Sequence, residues 1–457
     1  MRAGQILFVR SEIVRIPRKK VTASTLLTPR QVGQRLARAF VPNGIHFSEK
    51  HRSLNLFWLD GVLWNISESF VIAYQTLYIL ALGGTTAQVG QMTAMVNLAG
   101  ATALMPGAWL SEMWGRRKTL IVVFGGIVSR LPLLLLALLP LVFSGTAAIY
   151  AAIALLALRT FGDNFAKPAW TSFTADLIPL RLRGRYFTSR NFAMGVAAFV
   201  SVPLFGVLIR NMGGLSGYQV SWLLVFMAAA ASVLSFALIK DTPTTAPRAS
   251  TSLREIVGDM LAQRPFVVFT GVTLVWNLAL QLAGPFFSVY LVQDMGASAA
   301  MVGMTTAVNS VSALVGQRWF GRHYSRLGDL GIFRIAGLVI PFLPVMWAFI
   351  TAPWQVGLIN GIGGFMWAGY NLAQFNLLLA MTPEKGRERF AAVYQIAVFL
   401  PAFFAPLLGA WMVDVIGFRA VFVISGIGRL VATLMFIYLV GAKSAAARRV
   451  SAANTSD

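Results

Sequence analysis

Apolar residues in this chain come in long unbroken runs, not in the alternating or one-sided patterns of a soluble fold. Twelve runs, at 54–82, 89–110, 119–143, 147–175, 188–209, 218–239, 266–292, 299–320, 331–351, 355–381, 390–412 and 420–441, approach the ~20 residues that carry a helix across the hydrocarbon core. A helix satisfies its own backbone polar groups, as lipid demands, so the pattern predicts an all-α membrane protein. One segment, "KDTPTTAPRASTSLREIVGDMLAQRP" at 240–265, interrupts the series at its middle with a Pro/Thr/Ser-rich linker and an amphipathic piece. The expected order is a basic tail at 1–52, six helices within 53–239, a cytoplasmic linker at 240–265, six helices within 266–442 and a tail at 443–457.

The two halves repeat. A shift of about 212 residues pairs Phe57 with Phe269, Trp64 with Trp276, Asn65 with Asn277, Tyr78 with Tyr290, Gly84 with Gly296 and Asn97 with Asn309. Nearer the ends a shift of 203 pairs Phe187 with Phe390, Pro203 with Pro406 and Gly206 with Gly409. Such a register held over several runs marks an internal duplication, and parallel six-helix repeats are one architecture of secondary transporters.

Polar residues inside the runs fall on helical stripes. The first run places Gly61, Asn65, Glu68 and Gln75 on one face, interrupted by Ile72; the seventh repeats this with Asn277, Gln281, Gly284 and Ser288. The tenth offers Asn360, Gly364, Trp367, Asn371 and Gln374. The fourth reads "LRTFGDNFAKPAW", setting Arg159, Asp163 and Lys167 at i, i+4 spacing, where opposite charges pair. Arg130 and Arg429 are further intramembrane charges. Each such charge costs roughly 2.5–3.5 kcal/mol on insertion scales and therefore faces a partner or water. Two readings of Glu68 follow: a carboxylate whose protonation is coupled to binding, or a structural ion pair with Arg130 or Arg159. Asp163 is expected to be neutralised by Arg159 and Lys167, and Asp60, near the helix end, to be structural. The aromatic residues Trp64, Tyr74, Tyr78, Trp170, Phe286, Tyr290, Trp367 and Tyr370 suit an amphipathic pocket or ordinary packing.

Composition agrees: 57% of residues are hydrophobic and 12% charged, with a mean hydropathy of +0.70. The net charge of +22 suggests nucleic acid until its distribution is read. Alternate connections hold Arg116, Arg117, Lys118, Arg181, Arg183, Arg185, Arg190, Lys240, Arg248, Arg254, Arg264, Arg318, Arg322, Arg326, Arg334, Lys385, Arg387 and Arg389, and both basic tails fall on that side; the opposite set offers Arg210 and Arg419. This asymmetry is the positive-inside pattern. It places both termini in the cytoplasm, assigns the basic residues to topology and anionic headgroups, and leaves no call for nucleic acid. Cysteine is absent and the histidines, His46, His51 and His323, lie outside the mid-membrane segments, so no metal or cofactor is expected. No phosphate-binding Walker loop signals an ATP motor. Residues 1–52 lack the apolar core of a secretory signal; within them "TPRQVGQRLARAF" suits a short basic surface helix, and the Arg-rich start also fits an organelle transit peptide.

The loop after the second run, "GAWLSEMWGRRKTL", resembles the loop signature of the major facilitator superfamily. Gly115, Arg116 and Arg117 align, Glu112 takes the acid position, Met113 replaces a basic residue and Ala108 a glycine. The second half carries a degenerate copy, "GRHYSRLGD", with Gly321, Arg326 and Gly328 in place and Ser325 where the acid would stand. The resemblance implies twelve transmembrane helices in two pseudo-symmetric six-helix bundles, with the first, fourth, seventh and tenth lining a central cavity. It also implies that the loop cluster stabilises an outward-facing state. Arg159 resembles the fourth-span arginine linked to proton transfer in some antiporters, although Gly162 follows one residue early; Pro203 and Gly206 keep part of the fifth-span antiporter motif, with Val202 in place of its glycine.

The function expected is a monomeric, proton-coupled secondary transporter of a small organic solute in the bacterial inner membrane, working by alternating access with a preference for efflux. Glu68, Asp163 and Arg159 would couple protons; Asn65, Gln75, Arg130, Lys167, Trp170, Asn277, Gln281, Trp367, Asn371 and Gln374 would line the cavity. Its partners would be substrate, protons and lipids. Three alternatives stay open: a lipid flippase of the same fold, a non-transporting sensor with the basic tail as output, and a membrane enzyme using Glu68 and Asp163 for acid–base work.

Overall fold

The computed structural model describes residues 49–240, 263–381 and 387–441. Most of the expected basic tail, the amphipathic linker and the C-terminal tail lie outside the described residues. All regular structure within them is helical, and eight helices are long and apolar enough to cross a membrane.

The first half comprises α1 (Glu49–Ala81), α2 (Thr86–Trp114), α3 (Arg117–Val142), α4 (Gly145–Leu177), α5 (Leu180–Met212) and α6 (Gly214–Ala237). Local chemistry sets their ends. Thr85 and Gln88 form a capping box at the start of α2. Gly115 closes α2 at φ 63°, a left-handed conformation that glycine adopts without Cβ strain. Within α3, residues Ile121–Val128 widen into a π-helix around Gly125 and Gly126.

The second half comprises α7 (Arg264–Ala283), α8 (Phe286–Gln293), α9 (Ala299–Val339), α10 (Phe342–Ala348), α11 (Gln355–Met381) and α12 (Arg387–Phe436). Its helices are more broken than the apolar runs suggest. Pro285 separates α7 from α8, and Pro341 separates α9 from α10, because proline lacks the N–H and clashes with the preceding turn. Conversely, α9 and α12 run through two apolar runs each and are kinked where Gly328 (φ 60°) and Gly417 (φ 80°) leave helical geometry.

The duplication reappears as repeated close contacts. Gly107 of α2 packs on the Phe165 carbonyl of α4 with no room for a Cβ; in the second half a Cβ on Gly316 of α9 would lie 2.6 Å from the Phe365 carbonyl of α11. The halves meet in the same paired way. A Cβ on Gly90 of α2 would stand 2.8 Å from the Pro406 carbonyl of α12, and one on Gly303 of α9 3.1 Å from Cα of Pro203 on α5. Small residues that let backbones approach are the usual basis of helix packing in lipid. Outward surfaces stay apolar: Leu141, Val142, Phe349 and Leu358 are all exposed, which suits a lipid solvent.

Candidate functional site

Four charges from three helices form one chain inside the first half. Glu68 of α1 bonds Arg159 of α4; Arg159 reaches Asp163 one turn along at 3.3 Å; Asp163 takes a 3.0 Å contact from Arg130 of α3. Two acids thus alternate with two arginines, and the formal charge cancels. The partners differ in access. The arginine side chains are 8% and 5% exposed, whereas those of Asp163 and Glu68 are 22% and 24% exposed. The carboxylates can therefore meet water while the guanidinium groups are held in protein. Gly162 explains how α4 comes so near α3, since a Cβ there would lie 2.7 Å from the Phe124 carbonyl of the π-helical turn.

This geometry corrects one sequence expectation. Asp163 is neutralised by Arg159 and Arg130, not by Lys167, which is exposed and forms no ion pair among the described residues. Arg130 belongs to the charged chain and lies buried beside Ser129, to whose Oγ it donates at 2.9 Å. Helical spacing could pair Asp163 within its own helix, but the contact from α3 depends on tertiary packing.

A second charged cluster occupies the Gly115 end of the half. Arg190, assigned by sequence to a basic loop, is 5% exposed. Its Nη2 lies 3.7 Å from Asp60, its Nε donates to the Phe57 carbonyl at 3.2 Å, and its Cζ sits 4.6 Å above the Phe57 ring. Ser232 donates to the other oxygen of Asp60 at 2.6 Å. Gly61 leaves the space for this guanidinium. Gly61→Ala should displace Arg190 and strip Asp60 of its cation, lowering stability by about 1–3 kcal/mol; an unaltered melting temperature would show that the arginine has room to move. Trp170, expected in the cavity, is also packed here, 5.8 Å from Phe57.

One arginine of the loop signature ties the loop to α4. Arg117 pairs with Asp176 at the end of α4 at 2.6 Å, while Glu112 and Arg116 are exposed. The acid that engages the loop is thus Asp176, which the motif spacing did not identify. In the second half Arg326 and Gly321 are exposed, and Asp329 does the joining: it accepts from Tyr324 at 2.9 Å and from Asn376 of α11 at 2.9 Å.

The larger cavity, of about 560 Å³, lies between α7, α11 and α12 and is lined by Trp276, Asn277, Trp367, Asn371, Gln374 and Tyr394 among others. Four expected residues therefore come together. Gln374 bonds the Tyr394 hydroxyl, and Tyr370 stacks on Trp276 at 4.8 Å. Other expected lining residues fall elsewhere: Asn65 donates to the Met194 carbonyl of α5 at 2.7 Å, and Gln75 and Gln281 are half-buried outside this lining. Tyr74 and Tyr78 are core residues whose hydroxyls donate to the Val202 and Leu136 carbonyls at 2.7 and 2.8 Å; Phe286 and Tyr290 are likewise buried. Tyr394 was not anticipated because its run showed no polar stripe.

Helices long and apolar enough to cross a membrane, a cavity lined by amide and aromatic side chains, and ion pairs between helices are features of a membrane transporter. The profile of the Major Facilitator Superfamily matches residues 57–375 and 279–455, and the chain belongs to this family. It is 23% identical over 383 residues to the multi-drug resistance efflux pump PmrA homolog of Lactococcus lactis, covering 81% of this chain and 91% of that protein. Multidrug resistance protein MdtG of Enterobacter lignolyticus is 23% identical over 387 residues, 82% of this chain and 88% of its own. Among solved structures, a variant of nucleoside transporter NupG superposes with a TM-score of 0.67 at 14% identity, over 86% of this chain and 99% of that one. The family and these relatives are transporters, not enzymes, which removes the acid–base enzyme reading of Glu68 and Asp163.

Proposed function

We propose that the protein is a proton-coupled exporter of small amphipathic organic solutes. The observation that carries this reading is the chain Glu68–Arg159–Asp163–Arg130, with its carboxylates accessible and its guanidinium groups buried. Protonating Glu68 frees Arg159 to lean on Asp163 alone, which biases the packing of α1 against α4 and couples proton entry to helix movement. The aromatic and amide lining of the larger cavity suits an apolar solute with a few polar groups. Similarity to efflux pumps over four fifths of the chain supports the outward direction.

In this reading the chain crosses the bacterial inner membrane twelve times, in two six-helix bundles within 53–239 and 266–442, as a monomer with both ends cytoplasmic. The kinks at Gly328 and Gly417 and the duplicated glycine contacts support that count and symmetry. The close contacts of Gly90 and Gly303 between the halves lie toward the end bearing the Gly213 turn, and they support a state open toward the Gly115 end, which the basic loops assign to the cytoplasm.

In proteoliposomes, an imposed pH gradient should drive movement of a cationic dye by the wild type, and Glu68→Gln should bind the dye but lose the dependence on the gradient. Dye flux indifferent to the gradient in the wild type, or equally driven in the variant, would refute coupling through Glu68.

A further inference from the structure

Four arginines are buried among the described residues: Arg130, Arg159, Arg190 and Arg429. The first three each meet a carboxylate. Arg429 of α12, 3% exposed, forms no ion pair among the described residues. Among the described residues its side chain makes a single hydrogen bond, from Nη2 to the Leu280 carbonyl, long at 3.5 Å, and its Nε meets no acceptor. A neutral carbonyl at that distance does not offset the cost of holding a guanidinium away from water.

Arg429 borders a second cavity of about 220 Å³, separate from the larger one and sharing Trp367 with it as a wall. Ser288, Thr306, Asn309, Asn360 and Trp347 also line it. Arg429 tips the balance here toward donors. Asn309 and Asn360 each spend one amide hydrogen on a backbone carbonyl, at 3.3 and 3.1 Å, which leaves each with one N–H and its side-chain oxygen. The Ser288 hydroxyl has no partner among the described residues. Around them stand Phe287 and Trp347, with ring centroids 4.9 Å apart. A buried cation, spare N–H and O–H donors and an aromatic wall match one ligand chemistry: a carboxylate on a small apolar body. The space far exceeds the roughly 10–15 Å³ of probe-occupied volume that a single water needs.

We propose that this cavity between α8, α9, α10 and α11 is a binding site for a small monocarboxylate, with Arg429 as its charge partner and Ser288 and the two asparagines as hydrogen-bond donors. The ligand supplies the negative charge that the fold withholds from Arg429. Occupancy would also tie α12 to α8 and α11 across the cavity. The proposal concerns binding alone and stands whether or not the chain moves solute.

The test is thermal unfolding of the purified full-length protein with sodium benzoate, with equimolar sodium chloride as ionic control and benzamide as neutral isostere. Benzoate should raise the melting temperature saturably by on the order of 3 °C, and neither control should. Arg429→Gln should abolish the response and Arg429→Lys should retain part of it. Should Arg429→Gln fail to fold, Ser288→Leu decides the matter: it fills the cavity without touching the charge and should remove the benzoate response while the protein still folds. An absent benzoate shift in the wild type, an equal shift with chloride or benzamide, or a full response in Ser288→Leu would each overturn the assignment.

Discussion

Arg159→Gln should abolish gradient-driven flux and be the most destabilising single change within the charged chain. Arg159 touches both Glu68 and Asp163; without it Glu68 loses its cation and Asp163 keeps Arg130 alone. Breaking a fully buried pair by deleting one partner costs about 3–5 kcal/mol; Glu68 and Asp163 keep some access to water at 24% and 22% exposure, which brings the cost below that range. Charge balance supplies a sharper test. Glu68→Gln with Arg159→Gln restores neutrality and leaves the Asp163–Arg130 pair whole, so the double variant should be more stable than Arg159→Gln by at least about 1 kcal/mol. Flux should stay absent in both. Additive losses in chemical or thermal unfolding would mean that Glu68 and Arg159 do not interact in the membrane.

Gly303→Ala should loosen the contact between α9 and α5 near the Gly213 end. Gly303 faces the Tyr74 hydroxyl, with the Val202 carbonyl and Cα of Pro203 both 3.1 Å from where a Cβ would stand. Tyr74 is fully buried and donates to that carbonyl at 2.7 Å, so it has nowhere to retreat. Overpacking of this kind costs about 1–3 kcal/mol, and charged to the closed state alone it shifts the closed-to-open ratio roughly 5- to 150-fold. The chain has no cysteine, so Gln75→Cys, half-buried on α1 near this end, reports opening through its reaction rate with a maleimide. The rate should rise in Gly303→Ala and fall back when Tyr74→Phe is added, since removing the hydroxyl leaves only the 3.1 Å contacts. The rescue should be incomplete, because the lost hydrogen bond costs about 1 kcal/mol. Identical labelling with and without Gly303→Ala would show that this contact does not seal the halves.

Much of this is legible in the sequence. All twelve apolar runs fall on helical residues, apart from breaks at prolines and short turns, because a bilayer imposes one requirement, backbone self-satisfaction over about 20 residues, that hydropathy reports directly. Pro203 and Pro406 were visible as a repeated pair, and the structure shows why both are there: each meets a glycine of the opposite half. Helical spacing set Arg159 and Asp163 on one face, and their contact follows from it. The same spacing made Lys167 an equal candidate partner for Asp163, and it is not one.

What the sequence determined by itself was the class of solvent, the helical elements, the duplication and the residue types too costly to leave unpartnered in lipid. Tertiary structure decided who pairs with whom. Arg190 reads as one more basic loop residue until α5 packs against α1 and brings it to Asp60. Asp176 takes the Arg117 contact that spacing offered to Glu112, and Arg429, equal to Arg130 in sequence, ends at a cavity with no acid beside it among the described residues. Periodicity fixes the face of a helix on which a side chain lies. Its partner is set by the rotation and close approach of neighbouring helices, which here depend on glycine contacts tens to hundreds of residues apart in the chain.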